Sequence, residues 1–153
     1  MVFEIIRKLL IDNGIEHREV HHAPTFTSNE SAAARGEDLS AGGKALLLKV
    51  GEEFRLFVLS AALKLDSAAV KEYFQVKKTR FATAEELRTL TGLAPGSVPP
   101  FGKPVLPFDL YLDPSITANE KIAFNAGSLT DSIVMRTGDY IKIANPRIFR
   151  FAL

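Results

Sequence analysis

The sequence predicts an α/β (α+β) fold, in which a curved or barrel-like mixed β-sheet is covered by helices. At residues 42 to 60, GGKALLLKVGEEFRLFVLS, two apolar β-prone runs flank Gly51-Glu52-Glu53, a spacing typical of a β-hairpin. Short apolar segments on either side of this hairpin alternate with short amphipathic segments that carry helix caps. The connections after Ser60 are too varied for a regular doubly wound sheet, which favours a curved one.

Four amphipathic segments are predicted to form helices, because their apolar residues recur at helical spacing and capping residues bound them. Gly14, Gly36 and Gly92 provide C-terminal stops for the first, second and fourth of these segments. Glu30 near the start of the second helix suits the helix dipole. The four segments are residues 2–13, from Thr27 or Ser28 to about Arg35, Ala68–Phe74 behind the cap Asp66-Ser67, and Thr83 to Gly92.

Six further short segments are predicted to be strands, with Thr137-Gly138-Asp139 as a turn or helix cap between the last two. They are Ile15–His22, Lys77–Phe81, Phe108–Leu112, Ile122–Asn125, Ser132–Met135 and Ile141–Ala144. Residues 94–107, APGSVPPFGKPVLP, contain too much proline and glycine for a helix or a central strand. A rigid ordered loop is preferred there over a domain linker, because a boundary would leave fragments too small to fold alone.

The totals indicate one ordinary domain that covers residues 1–153. A net charge of +1 with 24% charged residues gives no sign of a strongly basic nucleic-acid binder, so an RNA partner would be held by a local patch. Cysteine is absent, which excludes disulfides, a thiol nucleophile and a thiolate metal site. No apolar run could span a bilayer, and Glu4 and Asp12 interrupt the apolar N-terminus. We therefore expect a soluble cytoplasmic protein with no membrane partner.

The three histidines lie together in one strand-like segment but do not predict a metal site. His17, His21 and His22 lack the additional carboxylate or thiolate ligands at suitable spacing that zinc would need. We expect them on the surface or at a strand end, and predict no metal. The P-loop, the dinucleotide-binding glycine motif, the GxSxG elbow and the metalloprotease motif are also absent.

Lys44 is the most distinctive single residue, because it follows two glycines at the start of the first hairpin strand. A lysine there would more often be a solvated strand-end residue. The loop at 94–107 could likewise be only a tight connection. Together, a cation and a rigid loop with exposed amides could bind an ester or a phosphate, leaving the chemistry to the ligand.

Several segments resemble the YbaK-type family, which comprises freestanding aminoacyl-tRNA deacylases and the editing domain of bacterial prolyl-tRNA synthetases. HHAPTFTSNESAAARG, residues 21–36, is similar to the family's His-x-Pro-x-x-Thr-x-x-Glu segment before its second helix. GGKALLLKVGEEFRLFVL resembles its lysine-bearing hairpin, and GLAPGSVPPFG, residues 92–102, its Gly-x-x-x-Pro loop followed by Phe-Gly. AFNAGSLTDSIVM, residues 123–135, is a weaker match to the penultimate strand and glycine turn. These segments follow the family's order over nearly the whole chain.

The resemblance implies hydrolysis of the ester in a mischarged aminoacyl-tRNA, with no cofactor. Lys44 would be the family's essential lysine, which holds the tRNA 3′ end and orients the ester. Backbone N–H groups of the Gly-x-x-x-Pro loop would position the aminoacyl carbonyl, and a ribose hydroxyl of the substrate would activate water. The loop residues would be Gly96, Ser97, Val98, Pro99 and Pro100, and the amino-acid pocket would include Gly127, Ser128, Phe26 and Thr27.

The substrate implied is tRNA-Pro carrying a small amino acid such as Ala or Cys, but one departure leaves the amino acid open. Some alanine-clearing members have His-Pro after the phenylalanine of the penultimate strand, whereas here Asn125-Ala126 follows Phe124. Cysteine, alanine, serine and threonine all remain open, because small apolar pockets discriminate poorly. The partners implied are the tRNA acceptor end, through Lys44 and either Lys103 or Lys77-Lys78, and a prolyl-tRNA synthetase.

Two alternatives follow from the same residues. The fold could serve as a non-catalytic module that senses aminoacyl-tRNA or docks on a synthetase. The pocket could also be vestigial, in which case the loop from Gly96 to Pro100 would be crowded and Lys44 would form a salt bridge with a neighbour such as Glu52 or Glu53. The mechanism implied by the resemblance instead requires Lys44 and the loop at 96–100 to meet across a cleft.

Overall fold

The computed structural model describes all 153 residues and contains six α-helices. All four predicted helices are confirmed, and three of them begin at predicted caps. The side chains of Thr27, Asp66 and Thr83 each accept a hydrogen bond from a backbone N–H in the first turn of the helix that follows. The helices are α1 (Val2–Asp12), α2 (Ser28–Arg35), α3 (Ser67–Phe74), α4 (Ala84–Thr91), α5 (Pro114–Thr117) and α6 (Thr137–Ala144), with a short 3₁₀ helix at Leu39–Ala41.

The predicted mixed β-structure covered by helices is confirmed, but its eight strands form two sheets rather than one. A three-stranded antiparallel sheet has the order β1-β7-β6, and a five-stranded mixed sheet has the order β4-β2-β3-β5-β8. A single parallel bridge between Gly42 and Ala123 joins the two sheets. The strands are β1 (His17–His21), β2 (Gly43–Val50), β3 (Glu53–Ser60), β4 (Thr79–Phe81), β5 (Leu110–Leu112), β6 (Lys121–Asn125), β7 (Asp131–Arg136) and β8 (Arg147–Ile148).

The predicted hairpin is the central pair of the larger sheet. β2 and β3 pair antiparallel from Gly43 opposite Ser60 to Val50 opposite Glu53, so the connecting loop is one residue shorter than the expected Gly51-Glu52-Glu53. Successive side chains point to opposite faces. Leu47 accordingly belongs to the larger hydrophobic cluster and Leu48 to a second cluster on the other face. Burial on both faces makes this hairpin a firm support for residues at its end.

The strand predicted at Ile141–Ala144 is wrong, because these residues form the second half of α6. Their β-branched side chains favoured a strand. The larger pattern is helical, since Thr137 and Tyr140 are buried and Ile141 and Ala144 each follow one of them by four residues. Thr137-Gly138-Asp139 is the first turn of this helix. Helix α5 and strand β8 were not predicted, because four and two residues are too few to show a period.

The proline-rich stretch from Ala94 to Pro107 contains no helix or strand, as predicted. Its backbone is held by the core rather than left in solvent, because Ser97, Val98, Pro99, Pro100 and Phe101 are all buried. No helix has the length and apolar character that a membrane span requires.

Candidate functional site

A cleft of about 170 Å³ lies between the start of β2, helix α2 with the segment before it, and the loop at 96–98. Five of the predicted site residues line this cleft: Phe26, Thr27, Lys44, Gly96 and Val98. Lys44 and the loop residues Gly96 and Val98 therefore line one cleft. The lining contains two cations, Arg35 and Lys44, and no aspartate, glutamate or histidine. Such a composition favours an anionic ligand over a cationic one.

Lys44 is half-buried, and its ammonium donates a hydrogen bond of 2.8 Å to the main-chain carbonyl of Leu63. No carboxylate lies within salt-bridge distance of it, and Glu53 pairs with Arg55 instead. Burial, and then repulsion from Lys64, lower the pKa of Lys44 from its ordinary value. An ammonium has three donors, so two remain for a ligand.

The loop at 96–100 is held by its carbonyl groups. Asn125 Nδ2 donates to the carbonyl of Gly96 at 2.6 Å. The N–H of Gly127 donates to the carbonyl of Ser97 at 2.9 Å. The Tyr140 hydroxyl donates to the carbonyl of Pro100 at 2.6 Å. The N–H groups of Gly96 and Val98 form no hydrogen bond within the protein. Gly96 has a φ of +85°, which glycine adopts at little cost. Both unpaired amides belong to residues that line the cleft.

The other three residues of the predicted loop set do not line the cleft. Ser97 is buried, and both its N–H and its hydroxyl donate to the carbonyl of Ala94. Pro99 and Pro100 are buried and have no N–H to offer. The amides available to a ligand from this loop are therefore those of Gly96 and Val98.

Gly127 and Ser128 also lie outside the cleft. Gly127 packs against α1, where an added Cβ would lie 2.8 Å from the Cβ of Val2. The Ser128 hydroxyl makes hydrogen bonds with Thr130. Through its N–H, Gly127 supports the loop from behind.

Phe26 and Thr27 stand at the mouth of the cleft on a fixed backbone. Their N–H groups donate to the carboxylate of Glu30 at 2.8 and 3.1 Å, and the Thr27 hydroxyl, as the helix cap, accepts from the N–H of Glu30. The Phe26 ring is 75% exposed. An aromatic ring in this position offers a stacking surface for a base.

Arg35, the last residue of α2, was not predicted as a site residue. It is only 7% exposed, and Nε donates to Ser132 Oγ at 3.0 Å while Nη2 donates to Asn125 Oδ1 at 2.9 Å. Burial lowers the pKa of Arg35, and the negative charge of Glu37 partly opposes this effect, which leaves the pKa at about 10. The guanidinium therefore stays protonated at neutral pH. The sequence does contain a signal for Arg35. It lies four positions after the small residue Ser31, so both are on the face of α2 that packs inward.

Asn125 connects this arginine to the loop. Its Oδ1 accepts from Arg35 and from the Ser132 hydroxyl at 3.2 Å, which leaves Nδ2 to hold the carbonyl of Gly96. The sequence departs from the alanine-clearing pattern at this position. The structure shows that the side chain found here forms part of the cleft wall.

The histidines pair with other groups outside the cleft. His17 lies 2.9 Å from Glu19 and His21 lies 2.8 Å from Asp131. No group of three or more histidine, aspartate or glutamate side chains is arranged to hold a metal ion.

A second, strongly basic groove lies at the far end of the hairpin, and none of its lining residues is hydrophobic. Its cations are Lys49, Lys71, Lys77, Lys78 and Arg80. Of these, only Arg80 has a carboxylate partner, Glu86 at 2.7 Å. In a chain with a net charge of +1, this is a marked local concentration of positive charge.

The family model that describes the aminoacyl-tRNA editing domain matches residues 22–143. The multifunctional Ser/Thr-tRNA deacylase ProXp-y of Escherichia coli K12 is 32% identical over 149 residues, covering 94% of this chain and 88% of that protein. A proline–tRNA ligase of Macrococcus caseolyticus is 27% identical over 126 residues, which cover 82% of this chain and 22% of the ligase.

Among solved structures, a proposed trans-editing enzyme for prolyl tRNA synthetase superposes with a TM-score of 0.86 at 23% identity, covering 99% of this chain and 97% of that one. At this identity the superposition supports the fold alone. The family model and the deacylase relative identify the lineage and the type of reaction. The chain belongs to the aminoacyl-tRNA editing domain family, and its activity class is that of an aminoacyl-tRNA deacylase.

Proposed function

We propose that this deacylase hydrolyses the ester between a small amino acid and the 3′-terminal adenosine of a tRNA, with Lys44 orienting the 3′ end. The observation that carries the proposal is the cleft itself, in which an ammonium without a carboxylate partner and two unpaired amides line one small space. A charged ligand would satisfy the cation, and a carbonyl oxygen would satisfy the amides.

In the proposed mechanism the substrate supplies the proton acceptor. A ribose hydroxyl next to the ester activates a water molecule, whose oxygen bonds to the carbonyl carbon. The bond from that carbon to the ribose oxygen then breaks, and the ribose oxygen takes up a proton, giving the free amino acid and the tRNA. Donors placed on the developing oxyanion can each contribute roughly 10² to 10³ in rate. Gly96 and Val98 are the residues assigned to that role.

The amino acid that we propose is a small one with a side-chain hydroxyl. Besides Lys44 and Arg35, the wall carries the hydroxyls of Thr25 and Ser31, 2.8 Å apart, and the amide of Asn125. Polar groups of this kind recognise a substrate hydroxyl better than an apolar surface does. The relative from Escherichia coli is named a Ser/Thr-tRNA deacylase, which supports serine and threonine ahead of alanine and cysteine.

The direct test is a panel of tRNAs charged with serine, threonine, alanine or cysteine, including tRNA-Pro carrying alanine or cysteine. We expect deacylation of the seryl and threonyl esters to be fastest. Faster hydrolysis of alanyl- or cysteinyl-tRNA-Pro would show that the polar wall does not set the preference. Binding of the charged tRNAs without turnover of any would reject deacylation and leave an aminoacyl-tRNA sensor.

The role of Lys44 is tested by Lys44→Met, with Lys49→Met as the matched control. Lys49 lies on the same strand, is also partly buried, and points to the opposite face. Loss of charge-assisted hydrogen bonds should lower kcat/KM about ten- to a hundredfold for Lys44→Met. The Lys49 variant should retain activity on a minimal aminoacyl-adenosine substrate. Equal effects of the two substitutions would contradict the assignment.

The proposed partners are the tRNA acceptor end and a prolyl-tRNA synthetase. The similarity to part of a proline–tRNA ligase supports the second, because there an editing domain forms part of the synthetase chain. Association would be measured by sedimentation of the purified protein with a prolyl-tRNA synthetase, with and without tRNA-Pro. We expect a complex; two independent boundaries under both conditions would reject this partner.

A further inference from the structure

We propose that Arg35 and Lys44 together bind one phosphate group of the tRNA's 3′-terminal nucleotide, with Arg35 as a previously unassigned binding residue. The inference rests on the proposed function, since it names a contact made by the same substrate. It concerns the affinity of the cleft for a nucleotide, which can be measured without any deacylation.

The first step is that Arg35 is a buried cation without a counterion. Its hydrogen-bond acceptors are the neutral side chains of Ser132 and Asn125. The nearest carboxylate with an electrostatic effect on it, Glu37, is paired with Arg18 at 2.8 Å. Buried charges in proteins are normally paired, because an isolated one is expensive to desolvate. An anionic ligand would supply the missing partner.

The second step is that part of the guanidinium is unused. Nε and Nη2 cross-link α2 to Ser132 and Asn125, but Nη1 forms no hydrogen bond within the protein. Nη1 carries two N–H donors, and guanidinium donors match phosphate oxygens in geometry. A purely structural cross-link would account for the first two nitrogens and leave the third unexplained.

The third step places this nitrogen on the side of β2 from which the Lys44 side chain leaves. A Cβ built on Gly42 would lie 3.6 Å from Arg35 Nη1 and 3.0 Å from the Cβ of Ala61. Residues two apart in extended chain point to the same side, so the Lys44 side chain leaves on the side where Nη1 lies, about 7 Å further along. The Lys44 contact with Leu63, two residues after Ala61, agrees with this placement.

Residue 42 has no side chain, so nothing from this position covers Arg35 Nη1. A larger residue at this position would extend over Nη1, besides meeting Ala61 and the carbonyl of Leu39. Both cations line the same cleft, to which no carboxylate contributes. A phosphate in this cleft would receive charge-assisted hydrogen bonds from both cations.

The experiment compares the affinities of adenosine, 5′-AMP and the dinucleotide CpA by isothermal titration calorimetry. We expect the wild-type protein to bind 5′-AMP and CpA about ten- to a hundredfold more tightly than adenosine, as charge-assisted hydrogen bonds would give. Arg35→Met should remove most of this preference, and Arg35→Lys should retain part of it because the charge remains without the fork. Arg88→Met is the control, since Arg88 is exposed and has no ion-pair partner.

Thermal melting separates this role from a merely structural one. A variant that melts at a lower temperature but keeps the wild-type ratio of AMP to adenosine affinity would overturn the proposal. So would equal wild-type affinities for adenosine and AMP, or inorganic phosphate binding as tightly as AMP. Should Arg35→Met fail to fold, NMR of the arginine side-chain N–H groups in the wild type should show a shift on adding AMP and none on adding adenosine.

The result is also distinguishable from failure of the proposed function. Arg35-dependent AMP binding without deacylation of any charged tRNA would reject the reaction and keep the phosphate site. Deacylation with an AMP preference unaffected by Arg35→Met would reject the phosphate site and keep the reaction.

Discussion

Replacing Asn125 should separate the stability of the cleft from its activity, because the oxygen and the nitrogen of its side chain hold different partners. Asn125→Asp keeps the oxygen that accepts from Arg35 and turns that contact into an ion pair. The same change removes the donor of the 2.6 Å bond to the carbonyl of Gly96 and places a negative oxygen against it. The loop therefore loses one anchor while the arginine gains a counterion.

The magnitudes follow from these contacts. One lost neutral hydrogen bond is worth about 1 kcal/mol, or about a fivefold smaller population of the ordered loop, before repulsion is added. We expect kcat/KM of Asn125→Asp to fall at least about fivefold with little loss of thermal stability. Asn125→Ala leaves the part-buried Arg35 donor unpaired, which costs about 1–3 kcal/mol, whereas water can replace the bond to the exposed Gly96 carbonyl. For a domain of this size the loss lowers Tm by about 2 to 12 °C.

The assay is steady-state deacylation of seryl-tRNA by each variant, beside thermal melting by circular dichroism. The Arg35 guanidinium would hold the pKa of the introduced carboxyl below the ordinary aspartate value of about 3.9. The carboxyl becomes a donor again only on protonation, so the deficit of Asn125→Asp should shrink below about pH 4. The reasoning is refuted if Asn125→Asp keeps the wild-type rate at neutral pH. It is equally refuted if Asn125→Ala melts at the wild-type temperature.

Two further predictions concern the surface. Lys77 and Lys78 lie about 20 Å from Lys44 along the hairpin. Replacing both with alanine should weaken the binding of whole tRNA and reduce the slope of log affinity against log salt concentration by about 1 to 2. Hydrolysis of aminoacyl-adenosine, which does not reach this groove, should not change. The Arg80 contact, aided by the Thr83 N–H, lowers the pKa of Glu86 to about 2. Glu86→Gln should therefore lower Tm at pH 7, with the difference from wild type fading as the pH falls from about 4.5 to about 2; a difference constant with pH would contradict this.

Local chemistry made much of the fold predictable from the sequence. Helix α2 could be placed from its ends, because Thr27, Glu30 and Gly36 act within one or two turns of the chain. The hairpin was equally local. The helix at 137–144 was missed because Tyr140 is buried against residues distant in the sequence, including Phe101 and Pro100, whose carbonyl accepts from its hydroxyl.

The cleft was predictable only in part, for the same physical reason. Lys44 and the loop residue Gly96 were recognisable by residue type and local pattern. Arg35 and Asn125 matter because they bond to each other across ninety positions, and no local pattern shows that contact. The placement of the loop also depends on partners such as Tyr140, whose hydroxyl donates to the carbonyl of Pro100 and which only the folded chain brings near.

The acceptor that holds Lys44 is a main-chain carbonyl, and this has a consequence for how the protein tolerates sequence change. Every residue type carries that carbonyl, so no substitution of the Leu63 side chain can delete the acceptor itself. Only a change in the path of the turn after Ser60, such as an insertion or deletion, would move it. Variation among relatives should therefore be freer in residue type than in length across residues 61–63, and an alignment with frequent gaps there beside a retained lysine would argue against this tether.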